Sequence, residues 1–161
     1  MELSFNKLPE SLAEFKAIPE AALSTPFETA AMTVLALCAY PKDKDAAFAM
    51  LQYLKGPAAM TNYDKQFIRE RFVDGDYVPR SYFNGAVPEN DYTPSKPYTI
   101  TIGENPYSYE SEGYAKLFLT SGGADSPRQI VLRKAKDGKW YLWEQYIMVG
   151  IRKPGSENPW A

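Results

Sequence analysis

Ser4 and Lys7 are the first residues in the chain whose types and spacing could do chemistry. Ser-x-x-Lys can set an amine one helical turn from a hydroxyl, as in hydrolases that activate serine with lysine. The companion motifs Ser-Asp-Asn and Lys-Thr-Gly do not occur, so chance explains the match better. Cys38 could act as a nucleophile, but it falls on the apolar face of a predicted helix with no evident base, where free cysteine behaves as a small hydrophobe. Asp74 and Asp76 could offer two carboxylates to a hard cation; the other ligands of a calcium loop do not follow, and a helix-ending turn is the better explanation. The stretch "SGGADS" lacks the lysine and following helix of a phosphate loop, so its glycines read as hairpin conformers. Glu104, Glu110, Glu112 and Glu144 could supply two acids for glycoside hydrolysis, if the fold sets a pair at the right separation.

The chain has no histidine and one cysteine. Ser-His-Asp and Cys-His catalysis, histidine or thiolate zinc sites and an intramolecular disulfide are therefore excluded. No catalytic residue, metal or cofactor is assigned; whether the protein is an enzyme stays open, with a non-enzymatic role favoured.

The unusual concentration is aromatic. Residues 77–114 hold seven of the twelve tyrosines and five of the thirteen prolines, and "PRSYFNGAVPENDYTPSKPY" (79–98) shows no helix or strand periodicity. Tyrosine combines contact area with a polar handle at low entropy cost, which suits recognition. It equally suits a long connection strapped over the core, rings inward and hydroxyls at the rim. The first expectation is a binding or protein-interaction domain using Tyr82, Phe83, Tyr92 and Tyr98. The second is a small-molecule pocket between helices and sheet, lined by Phe118, Trp140, Trp143 and Tyr146, with Glu144 as its polar group. Partners would be a protein, a peptide or a small molecule, and a homodimer through an exposed sheet face is a third expectation.

A length of 161 residues with 45% hydrophobic and 24% charged content makes one folded domain. A net charge of −2 gives no general attraction to nucleic acid or anionic membrane. The basic excess in Arg128, Arg133, Lys134, Lys136, Lys139, Arg152 and Lys153 should spread over more than one face, so no nucleic-acid partner is expected. The apolar run at 30–40 is about half a membrane span, and the start lacks signal-peptide order. The expected location is the cytoplasm, with a removed export segment left open.

Thr25-Pro26-Phe27-Glu28 reads as a capped helix start, followed by an apolar stripe to Cys38. Further helices are predicted over 43–55, with Gly56 as stop, and from Thr61, carrying Tyr63, Phe67, Ile68 and Phe72; "PESLAEFKAI" adds a short one. After residue 96 the pattern turns to period two: "PYTITIG", "GYAKLFLT" and "RQIVLRK" are strands, and Asp137-Gly138 marks a hairpin. The last strand, from 139 to about 151, is apolar on both faces and so expected to be central or covered. The prediction is an α+β domain: three to four helices (about 9–73), a Tyr/Pro-rich connection (about 77–97) and an antiparallel meander of about four strands (about 97–151).

Residues 82–100 and 113–144, "YFNGAVPENDYTPSKPYTI" and "GYAKLFLTSGGADSPRQIVLRKAKDGKWYLWE", resemble an uncharacterised bacterial family met in gut Firmicutes, a domain of unknown function. The resemblance implies a bacterial origin and no activity. The closing "LRKAKDGKWYLWE" is similar in architecture to the last hairpin of the NTF2-like superfamily, which implies a cone-shaped sheet around a pocket, although helices preceding every clear strand depart from that pattern.

Overall fold

A computed structural model describes residues 1–160 and orders the elements as β1 (Glu2–Phe5), α1 (Leu12–Ala17), α2 (Pro26–Cys38), α3 (Lys44–Lys55), α4 (Asn62–Arg71), α5 (Tyr77–Arg80), β2 (Tyr98–Gly103), β3 (Tyr114–Leu119), β4 (Arg128–Lys134) and β5 (Trp140–Gln145). The chain is α+β, with one antiparallel sheet in the order β1-β2-β3-β4-β5. Among the described residues no helix is long and apolar enough to cross a membrane.

Local chemistry explains the helices. The Thr25 hydroxyl accepts from the Glu28 N–H while the Glu28 carboxylate accepts from the Thr25 N–H, and Pro26 opens α2 where no donor is needed. Thr61 and Asp64 form the same reciprocal cap on α4, and Asp43 caps α3. Gly56, at φ +58°, ends α3 where a β-carbon would run into the Tyr141 ring. From Thr29 to Leu37 every residue of α2 is buried, so it is the central rod of the core rather than a one-faced helix. It packs against α3, α5 and strands β2 to β5.

Two expectations about the sheet need correction. It has five strands, because "ELSF" pairs with β2 in the register Leu3↔Ile100, so a strand precedes the helices. The Ser4 hydroxyl there meets the Thr99 hydroxyl at 2.8 Å, and Lys7 pairs with Glu14, which ends the Ser-x-x-Lys reading. The last strand is neither central nor as long as expected: β5 stops at Gln145 and lies at the sheet edge. Strands β2 and β3 pair only at Ile102↔Leu119 and Gly103↔Phe118, and the Tyr/Pro connection fills the opening beside them. Phe83 bridges to Ile100, the Asn84 N–H donates to Thr99 O at 2.8 Å, and the Gly122 N–H donates to Ser81 O at 2.8 Å.

Candidate functional site

The Tyr/Pro segment faces inward. Tyr82, Phe83 and Tyr92 are at most 2% exposed and Tyr98 is half-buried against Phe83, so these residues do not form the shared surface expected of them. The hydroxyls of Tyr82 and Tyr92 donate to the carbonyls of Ile147 and Arg152, in the irregular stretch after β5. Burial pushes both phenols up, Tyr92 to about 12. Arg80 clamps the segment, donating to Asp91 O and Tyr92 O at 3.2 Å each and to the Asp76 carboxylate at 2.8 Å. Asp76 of the "DGD" turn is thereby engaged with Arg80.

The glycines of "SGGADS" have a different cause from the one expected. A β-carbon on Gly122 would lie 2.0 Å from Ala86 O, and one on Gly123 would lie 2.2 Å from the Tyr92 hydroxyl. Neither has a positive φ; close approach of the strap, not turn geometry, requires them. Cys38 keeps some exposed surface, yet burial around its sulfur pushes the thiol up to about 12, which removes it as a nucleophile near neutral pH. Among the candidate acids, Glu110 pairs with Lys116 and Glu144 accepts from the Tyr146 hydroxyl at 2.6 Å; both are exposed.

A groove of about 350 Å³ lies between α4 and β5. Its floor is made by buried Leu37, Leu51, Ile68 and Leu142, and its walls by Tyr63 and Phe67 on α4 facing Trp143 and Tyr146. Eight large hydrophobic side chains are exposed among the described residues, and three of them, Tyr63, Trp143 and Tyr146, surround this groove. Of its polar groups, the buried Thr33 hydroxyl donates to Thr29 O, and the charged ones are Lys55, Asp64 and Glu144. Lys55 pairs with Asp64 at 3.7 Å, and the bond from Tyr146 to Glu144 holds that phenol above its ordinary value. Trp143 is held in place: the Arg133 guanidinium lies 4.6 Å from its ring centre and Tyr114 packs edge-on at 5.9 Å.

Of the residues expected to line a pocket, Trp143, Glu144 and Tyr146 meet here, as part of an open groove rather than an enclosed cavity. Phe118 is half-buried and Trp140 is tied into the core side, its N–H donating to Leu23 O and its carbonyl accepting from the Thr29 hydroxyl; neither reaches the groove. Sequence reasoning missed Tyr63, Phe67, Lys55 and Asp64. Tyr63 is 77% exposed while Ile68 is buried, and the signal that separates them is their spacing, because five residues along α4 turn them about 140° apart.

A family model described as "Domain of unknown function (DUF6935)" matches residues 7–155. No curated protein and no solved structure matches the chain, so the NTF2-like likeness and the bacterial origin gain no support.

Proposed function

The chain belongs to the DUF6935 family, a domain of unknown function, and we propose that it is a non-catalytic binding domain whose site is the groove between α4 and β5. The observation that carries this reading is the convergence of three exposed rings over an apolar floor. A groove of about 350 Å³ with a mostly apolar and aromatic lining falls within the roughly 300–1,000 Å³ of ordinary ligand sites. The Tyr/Pro segment supports the reading indirectly, because its buried rings hold the wall behind the site in place and leave recognition to the rings that stay outside.

The test is binding of the environment-sensitive dye 8-anilinonaphthalene-1-sulfonate to the folded chain. Wild type should bind it saturably, and Trp143→Ala with Tyr63→Ala should abolish the signal with the melting temperature nearly kept. Equal dye binding by the variant would overturn the proposal. Light scattering on the same samples tests the homodimer through an exposed sheet face, which only monomer at high concentration would exclude.

A further inference from the structure

Five consecutive residues, Leu142 to Tyr146, line the groove. Side chains of a strand alternate between faces, so an unbroken run can border one groove only where the groove follows the strand's edge. β5 is the last strand in the sheet, so no strand pairs with its outer edge. Its start is closed: the N–H and carbonyl of Trp140 point away from β4 and are taken by Leu23 and Thr29. Leu142, two residues on and paired with Leu132 as Trp140 is with Lys134, turns its main-chain groups the same way, now into the groove. Trp143 is the extra residue of a bulge, since Val131 pairs with Glu144. Beyond it the Tyr146 N–H bonds back to Gln129 O, which turns Gln145 outward again. Among the described residues, the main-chain groups of Leu142 and Gln145 have no partner outside the sheet.

The opposite wall matches a strand in spacing. Tyr63 and Phe67 are one helical turn apart, about 6 Å along α4, against about 6.8 Å between alternate residues of an extended chain. The groove then continues past Trp143 into a second hollow of about 520 Å³ that shares Lys55, Leu142 and Trp143 with the first. Lys55, Arg133, Lys134 and Lys136 line this hollow and no carboxylate does. Arg133, Lys134 and Lys136 have no acidic partner within salt-bridge distance among the described residues.

We infer that the groove takes an extended acidic peptide, added as a strand to the open edge of β5, with apolar side chains against Tyr63, Phe67 and Trp143 and carboxylates reaching Arg133, Lys134 and Lys136. The main chain of Leu142 and Gln145 supplies hydrogen bonds that do not depend on peptide sequence, the rings select alternate apolar residues, and the cations set the sign of charge. This assignment rests on the groove being the binding site.

The test is selection of a displayed random heptapeptide library against the full chain, counter-selected on the Trp143→Ala, Tyr63→Ala variant. Enrichment of acidic sequences with alternating apolar residues is expected. In a synthetic copy of one such peptide, N-methylation at every second amide should weaken binding about tenfold or more while the intervening positions tolerate it. Hydrogen exchange at the amides of Leu142 and Gln145 should slow on peptide addition. Lys134→Glu with Lys136→Glu should weaken the acidic peptide about tenfold at low salt, and less at high salt. Peptides that bind with every N-methylation tolerated, enrichment without acidic residues, or unchanged exchange at Leu142 and Gln145 would each overturn the inference. Dye binding in the groove without any peptide enrichment removes the peptide and leaves the binding site; loss of both removes both readings.

Discussion

The Tyr/Pro strap and the α4–β5 groove are both rich in aromatic rings, and the rings point in opposite directions. Beyond Gln145 the chain leaves the sheet, so carbonyls such as Ile147 O and Arg152 O have no ladder to join. A buried carbonyl needs a donor, and Tyr82 and Tyr92 supply it from across the core, which lets their rings bury completely. Tyr63 and Tyr146 meet no such acceptor inside. Tyr146 bonds to exposed Glu144 and Tyr63 stays 77% exposed. The same residue type becomes structural or available according to whether the interior offers its hydroxyl a partner.

Variants should separate the two regions most sharply where the rings are fully buried. Tyr92→Ala or Tyr82→Ala should lower the unfolding free energy by about 3–5 kcal/mol, the usual range for deleting a buried ring, as read by urea denaturation. A loss under about 1 kcal/mol would dissolve the contrast. Next in size, Arg80→Ala should cost about 2 kcal/mol, because two carbonyls of the strap lose a charged donor, and Arg80→Lys should recover only part of it. Gly123→Ala should destabilise by about 1–3 kcal/mol through overpacking on the Tyr92 hydroxyl, and pairing it with Tyr92→Phe should relieve part of that loss. On the groove side, Trp143→Ala should cost only about 1 kcal/mol, the order of its cation–π contact with Arg133, while removing dye binding.

Cys38 provides the finest discrimination. It ends α2, which packs against α5 at the start of the strap, and its thiol feels the charges of Arg80 and Asp76. With the thiol pushed up to about 12, disulfide reagents should label it slowly in the folded protein, faster by about tenfold for each pH unit gained below that value, because only the thiolate attacks. Arg80→Ala should accelerate labelling by opening the strap. Trp143→Ala should leave the rate unchanged, and equal acceleration by both would mean that the regions are mechanically one.

Much of the fold is legible from neighbours in sequence. The Thr25–Glu28 cap, the helix start at Thr61, the Gly56 stop and the period-two run of β3 appear where the residues predict them. The short strand β1 is not legible: Leu3 and Phe5 make too brief an alternation, and the strand exists because β2, almost a hundred residues away, receives it. The pattern of β5, apolar on both faces, misleads for a physical reason. One face packs into the core through Leu142, while the other side's rings stand beside a groove, and hydrophobicity alone does not distinguish a covered ring from an open one. Of the expected pocket residues, Trp143, Glu144 and Tyr146 meet because consecutive residues at a sheet edge share one groove; Phe118 and Trp140 lie elsewhere in the sheet.

The α+β class, the α2 cap, the hairpin at Asp137-Gly138 and the loss of histidine- and thiolate-based chemistry follow from residue type or from contacts within a few positions. Which tyrosines are core and which line the groove is set by contacts between distant segments. That choice depends on whether a main-chain carbonyl from a distant segment waits inside for the hydroxyl, and such an acceptor exists only once β5 has ended and the chain has crossed back over the strap.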